Sequence, residues 1–133
     1  MRETLSAGLS TVFDYDVTED RTVPALLPEA PEFAYMPHVL ATGYLVALVE
    51  WTCMKALGDH LDDGERTVGT HLDLSHEAPT LPGRTVRFEV ELVAVAGRLL
   101  TFSVRATENG TVVCRGTHQR AIIDLAKFEA RLR

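Results

Sequence analysis

The chain has 133 residues, of which 46% are apolar and 24% are charged, and its formal net charge is −6. This length and composition predict a single domain over residues 1–133 with a core of its own, and exclude extensive disorder. The acidic balance and the lack of a basic run argue against a nucleic-acid partner, because that binding depends on Lys and Arg neutralising phosphates. No apolar run approaches the roughly 20 residues of a membrane span, and the N-terminus has no signal-peptide pattern.

The cysteines and histidines do not form a metal-binding pattern. Cys53 and Cys114 occur without a CxxC motif, so we expect free thiols that fill the core in a reducing cytoplasm. His71 and His76 are an odd number of positions apart, and a straight strand sends such residues to opposite faces. We therefore expect no metal site.

The first half of the chain predicts a strand, a proline-rich loop and a long helix. Residues 9–17 alternate weakly, whereas the four prolines within 18–37 favour an ordered loop or short turns. Residues 38–58, HVLATGYLVALVEWTCMKALG, predict a helix that begins after Pro37 and ends at Gly58. This helix is apolar on nearly every side and must be enclosed, with one predicted stripe made of Leu40, Tyr44, Ala47, Leu48 and Trp51.

The second half predicts four strands linked by short turns. The first, Val68–His76, should place alternate residues on one face, and these are Val68, Thr70, Leu72, Leu74 and His76. Residues 85–95, 100–106 and 111–124 predict the other three, with a strong hairpin signal at Asn109-Gly110. Short turns imply antiparallel neighbours. The predicted fold class is α+β, with a curved antiparallel sheet wrapped around one long central helix.

Three polar residues lie in or beside the predicted core. A buried charge is costly unless it is paired, so Glu50 either reaches a cleft or has a salt-bridge partner. Thr42 precedes it by eight positions, about 12 Å of helical rise, and could simply bond to its own helix. His76 is the last residue of the strand face predicted to point inward. It could be a structural core histidine, or it could meet a helix side chain at a cleft. Together a hydroxyl, a base and a carboxylate can perform acyl transfer, with helix-start amides stabilising an oxyanion.

Three stretches carry a resemblance to a known family: PEFAYMPHVLATGYLVALVEW, VGTHLDLSHEAPTLPG and GTHQRAIIDLAKF. They look like the fluoroacetyl-CoA thioesterase family of hot-dog proteins, and the likeness covers nearly the whole chain. The resemblance implies that the catalytic residues are Thr42, Glu50 and His76. It also implies that Gly69 contacts the thioester and coenzyme A through its backbone and that Arg120 binds substrate, although an exposed strand arginine paired with an acid is an alternative.

The loop before the helix departs from the family pattern. Phe33 is retained, but Met36 stands at the position where the resemblance implies a phenylalanine that gates the site of fluoroacetate-specific members. Methionine is flexible and fills irregular space. The resemblance therefore implies that Phe33 and Met36 line the substrate site, with a softer lid that admits bulkier or non-fluorinated acyl groups.

The function implied by the resemblance is hydrolysis of a short or small substituted acyl-CoA. Coenzyme A is then part of the substrate, no separate cofactor is expected, and the fold implies a homodimer whose two sheets join edge to edge. Hydrolysis of an acyl carrier protein thioester and non-catalytic acyl-CoA binding are alternatives. A hot-dog dehydratase is a further one, although no paired histidine and acid signature favours it.

Overall fold

Five antiparallel strands form the body of the protein, which a computed structural model describes over all 133 residues. The strands are β1 (Ser10–Asp16), β2 (Glu65–His76), β3 (Thr85–Ala96), β4 (Leu99–Glu108) and β5 (Thr111–Asp124). They make one sheet in the order β1-β3-β4-β5-β2, so β1 and β2 are its edges. The predicted α+β class and the strand positions are confirmed.

Four helices complete the fold: α1 (Val23–Leu26), α2 (Pro31–Ala34), α3 (Thr42–Leu57) and α4 (Leu125–Arg131). The first two, with a 3₁₀ turn at Glu19–Arg21, occupy the proline-rich stretch predicted as short turns. The fourth was not predicted; the Asp124 carboxylate caps it by accepting a hydrogen bond from the Lys127 amide at 3.0 Å. None of the helices combines the length and apolarity that crossing a membrane requires.

The long helix begins later than the sequence predicts. Its first residue is Thr42, and Ala41 before it is extended. The Leu40 amide donates to the Thr80 carbonyl at 2.9 Å and the Ala41 amide donates to the Arg21 carbonyl at 3.0 Å. The Val39 carbonyl accepts from the Val23 amide at 3.0 Å and Leu40 forms an antiparallel bridge with Thr22, so this segment is held extended rather than helical. This places Thr42 at the N-terminal end of α3.

The core lies between the inner face of the sheet and one side of α3. The buried helix residues are Leu45, Leu48, Val49, Thr52, Cys53, Ala56 and Leu57. The predicted stripe is therefore wrong in part, since Ala47 is exposed and Trp51 keeps 44% of its surface exposed. One sheet covers only one side of the helix. On the open side the Trp51 ring packs edge-on against Phe13, with the Lys55 ammonium over both rings.

A bulge in β2 changes which residues face the helix. The register against β5 shifts between Gly69 and His71, so the alternation of faces reverses there. Gly69 lies opposite Arg120, which is buried on the inner face, whereas Val68 lies opposite Ala121 on the other face. The prediction that Val68 shares a face with Leu72 and His76 is therefore wrong.

Downstream of the bulge the predicted alternation holds. Leu72 pairs with the buried His118 and His76 pairs with the buried Cys114, so both face inward. His71 pairs with Gln119 on the opposite face, as predicted. The bulge thus brings Gly69 onto the same face as His76 and directs that part of the edge strand toward α3.

Candidate active site

The first part of the candidate site joins the start of α3 to the end of β2. Thr42 Oγ1 lies 2.8 Å from His76 Nδ1, so the hydroxyl can donate to the unprotonated nitrogen of a neutral imidazole. Burial lowers the pKa of His76 below its ordinary 6.5, with the Ala78 backbone acting more weakly in the opposite direction. The imidazole is therefore in the neutral form at pH 7 and can accept a proton from Thr42.

The other imidazole nitrogen of His76 has a different environment. Its Nε2 atom is buried and has no hydrogen-bond partner. When Nδ1 accepts from Thr42, a neutral ring carries its proton on Nε2. Buried polar groups in folded proteins usually have a hydrogen-bond partner, so this nitrogen is an exception within the chain.

The second part of the site joins the middle of α3 to β5. Arg120 Nη1 donates to Glu50 Oε2 at 2.9 Å, while Arg120 Nε and Nη2 donate to the hydroxyl and carbonyl of Thr67 at 2.8 and 3.0 Å. The Arg120 side chain is 3% exposed and the Glu50 side chain 36%. Glu50 therefore both has an ionic partner and reaches solvent, and Arg120 is not an exposed strand arginine.

Gly69 lets the edge strand approach the glutamate. A Cβ at this position would lie 2.8 Å from Glu50 Oε2, which would force the carboxylate to move, and a tight 3.3 Å from the His118 ring. Beside this contact is an open cavity of about 360 Å³, a size within the range of small-molecule sites. Its lining residues are Glu50, Gly69, Thr70, His71, Leu72 and His118.

His118 is a member of this cluster that the sequence reasoning did not identify as functional. It is 1% exposed, with Nε2 3.1 Å from Arg120 Nη1 and Nδ1 2.8 Å from the His71 carbonyl oxygen. The available signal was the two-residue spacing from Arg120, which places both side chains on one face of a strand.

The two parts of the site do not touch within one chain. No hydrogen bond links Thr42 or His76 to Glu50, Gly69 or Arg120, and the helix separates Thr42 from Glu50 by about 12 Å. The structure thus brings together the predicted site residues as two groups, which we call the Thr42–His76 pair and the Glu50–Arg120 group, the latter including Gly69. A substrate atom that contacts Thr42 is out of reach of the same chain's Glu50.

The predicted lid segment lies before α3. Phe33 is half-buried in α2, whereas Met36 is exposed and Tyr35 keeps 88% of its surface exposed. The segment is packed on the helix start through Leu26 of α1, because a Cβ on Gly43 would lie 3.0 Å from the Leu26 side chain. These exposed side chains are therefore close in sequence to Thr42 but make no hydrogen bond with the Thr42–His76 pair.

The cysteines do not compete as nucleophiles. Both are free and buried, as predicted. Burial raises the pKa of Cys53 to about 12 and that of Cys114 to about 11, so both are protonated thiols at neutral pH.

Comparison with solved structures identifies the architecture. A thioesterase superfamily member from Thermus thermophilus superposes with a TM-score of 0.86 at 27% sequence identity, over 98% of this chain and 93% of that one. A structure of a fluoroacetyl-CoA thioesterase superposes with a TM-score of 0.95 at 41% identity, over 98% and 97% of the two chains. One antiparallel sheet packed on a long helix, in the arrangement that these two structures share, places the protein among the hot-dog thioesterases.

Sequence comparisons give the family within this class. The family model described as fluoroacetyl-CoA-specific thioesterase matches residues 17–126. The fluoroacetyl-CoA thioesterase of Streptantibioticus cattleyicolor is 41% identical over 133 residues, covering 100% of this chain and 96% of that protein. The chain belongs to the fluoroacetyl-CoA-specific thioesterase family, which confirms the resemblance seen in the sequence.

Proposed function

We propose that this protein hydrolyses the thioester of a short or small substituted acyl-CoA, releasing the free acid and coenzyme A. The observation that carries the proposal is the 2.8 Å contact between Thr42 Oγ1 and His76 Nδ1 at the start of a helix. Single-substitution variants of a fluoroacetyl-CoA thioesterase that is 41–42% identical to this chain have been crystallised with acetyl-CoA, and with fluoroacetate and CoA. Those complexes support an acyl-CoA substrate for this chain.

The start of α3 is suited to stabilising an oxyanion. No side chain caps this helix, and the first amides of a helix have no intrahelical acceptor. A thioester carbonyl placed there would meet N–H donors and the positive end of the helix dipole. In the proposed reaction Thr42 supplies or positions the attacking oxygen, and His76 accepts its proton at Nδ1.

Glu50 and its neighbours are proposed to act on the other side of the acyl group. The Glu50 carboxylate either moves protons or forms a transient acyl intermediate, and Gly69 offers its backbone to the thioester. Arg120 orients this carboxylate. Four of the five guanidinium N–H groups have acceptors in Glu50, His118 and Thr67, which leaves one for the proposed contact with substrate.

We propose that the lid permits more than one small acyl group. Met36 is exposed and unbranched, and Phe33 before it is only half-buried. A flexible thioether constrains an acyl pocket less than an aromatic ring does. Acetyl and other small non-fluorinated acyl groups are therefore proposed as substrates beside fluoroacetyl.

A homodimer is proposed because the two parts of the site lie along an open sheet edge. Strand β2 has a neighbour on one side only, and Leu72 on it is 45% exposed. Antiparallel pairing of two β2 strands around Leu72 and Asp73 would set Gly69 near the partner subunit's His76. The Glu50–Arg120 group of one copy would then complete the Thr42–His76 pair of the other.

Two further features belong to this proposal. A cytoplasmic location is supported by the two free thiols, which persist in a reducing compartment. The reaction is proposed to need no separate cofactor, because the hydroxyl, imidazole and carboxylate supply the nucleophile and the proton transfers.

The experiment is release of free thiol from acetyl-, fluoroacetyl-, butyryl- and aromatic-CoA thioesters. We expect the small acyl groups to be hydrolysed, and Thr42→Ala, Glu50→Gln and His76→Ala each to lower turnover by a factor on the order of 10² or more. Thr111→Ala and Glu91→Gln, at exposed strand positions outside the site, are the matched controls. Wild-type rates in all three site variants would refute the assignment, and tight binding without release would favour a non-catalytic binder.

A further inference from the structure

His118 is buried among groups that determine where its protons lie. The ring is 1% exposed, and its Nδ1 atom lies 2.8 Å from the carbonyl oxygen of His71. A carbonyl only accepts hydrogen bonds, so Nδ1 carries the hydrogen. The ring faces inward from β5, opposite Leu72 of β2, so this bond ties β5 to the bulged part of the edge strand.

The second ring nitrogen faces a cation. His118 Nε2 lies 3.1 Å from Arg120 Nη1, and the guanidinium has only N–H donors to offer. Nε2 must therefore be unprotonated and accept. The two contacts together select the neutral imidazole with its hydrogen on Nδ1, in keeping with the lowered pKa of His118, which burial causes first and Arg120 reinforces.

The same arginine nitrogen holds the glutamate. Arg120 Nη1 has two hydrogens; one points to His118 Nε2 and the other to Glu50 Oε2 at 2.9 Å. Because the guanidinium is planar, fixing one of these directions fixes the other. Thr67 fixes the opposite edge of the guanidinium through Nε and Nη2.

We propose that His118 is a positioning residue that, by accepting from Arg120 Nη1, aims the other Nη1 hydrogen at the Glu50 carboxylate and so fixes that carboxylate beside Gly69. The proposal rests on the proposed function only for its effect on turnover. Its geometric content, the Nδ1–H tautomer and the direction of Arg120, stands on the contacts themselves. His118 contacts no reacting atom in this scheme.

Two variants separate the two bonds of His118. His118→Gln keeps an acceptor close to the position of Nε2, whereas His118→Asn keeps a donor close to Nδ1 and loses the acceptor. We expect His118→Asn to lower kcat on the order of 10-fold with KM little changed, and His118→Gln to recover most of that loss at similar thermal stability. Equal kcat in the two variants, or a lower kcat in His118→Gln, would overturn the proposal.

Measurements made without substrate test the role of His118 independently of the proposed activity. Nitrogen-15 NMR of the wild-type protein should show His118 with a protonated Nδ1 and an unprotonated Nε2; the opposite tautomer or a charged ring would overturn it. Crystal structures should show the Arg120–Glu50 contact kept in His118→Gln and displaced in His118→Asn, and retention in both would also overturn it. A wild-type protein that releases no thiol from any thioester would contradict the proposed function alone.

Discussion

Gly69 occupies a position where a side chain would collide with the carboxylate. A Cβ there would lie 2.8 Å from Glu50 Oε2, so Gly69→Ala should push the carboxylate away from its position beside the strand. Displacement of a reacting group by about 1 Å can cost on the order of 10²-fold in rate. We expect kcat to fall at least tenfold while thermal unfolding changes little, measured by thiol release and a melting curve.

The control for this prediction is another glycine. Gly58→Ala places its Cβ 3.6 Å from the Lys55 carbonyl oxygen, an ordinary contact, and Gly58 is remote from the site residues. It should leave kcat unchanged. If Gly69→Ala were as active as Gly58→Ala, the strand would not be constraining Glu50.

The pH dependence of the reaction should report the protonation of the His76 imidazole. In the proposed reaction this imidazole accepts a proton from Thr42, which requires the neutral ring, and burial lowers its pKa below 6.5. Activity is therefore retained as the pH falls through 6.5 and is lost at lower pH, where the ring becomes protonated. The acid limb of kcat/KM against pH should have its midpoint below 6.5. A midpoint at or above that value would show that another group governs this limb.

At the scale of elements, α1 and α3 pack closely against each other at Gly43. Gly43→Ala would bring a Cβ to 3.0 Å from the Leu26 side chain, which must give by a few tenths of an ångström and would press on α1. Alanine also favours a helix over glycine by about 1 kcal/mol. We expect an unchanged or higher melting temperature and a KM for acyl-CoA raised several-fold, because the shifted segment leads to Met36.

A second substitution tests whether the contact between Gly43→Ala and Leu26 causes the raised KM. Leu26→Ala removes the atoms that the new Cβ would meet, so the double variant should recover a KM near that of Leu26→Ala alone. Strictly additive changes in the two single variants and the double variant would indicate that Gly43 and Leu26 are not coupled.

At the scale of the whole molecule, the separation of the two parts of the site predicts complementation between the subunits of the proposed homodimer. A mixed dimer of Thr42→Ala and Glu50→Gln would contain one site with both changes and one site with neither. Random mixing after reversible unfolding should restore about a quarter of wild-type turnover, although each variant alone is nearly inactive. No recovery in a verified mixed dimer would mean that each site is built from one chain.

The edge strand supplies the control for this assembly. Leu72→Asp adds a charge at the open β2 edge and should yield monomers with little activity, measured by sedimentation. Val93→Asp adds the same charge at a similarly exposed position on β3 and should leave the assembly unchanged. Equal behaviour of the two variants would remove β2 as the interface.

Much of the fold could be predicted from the sequence because local patterns determine it. Alternation of apolar and polar residues defined the strands, and Asn109 and Gly110, both with positive φ, form the predicted turn between β4 and β5. Thr42, Glu50 and His76 were identifiable as polar residues in apolar surroundings and from the family motifs. These features depend on residues close together in the chain.

Tertiary contacts decided the rest. The helix begins at Thr42 because Val39 and Leu40 pair with Thr22 and Val23 in an extended conformation, and Gly69 faces Glu50 because an extra residue in β2 reverses the alternation. His118 gained its role only from its distances to Arg120 and the His71 carbonyl. The sequence by itself determined the elements and the types of side chain proposed to react, since these follow from local period and chemistry. Only the tertiary structure decided which groups touch, because hydrogen bonds between distant segments depend on register and burial.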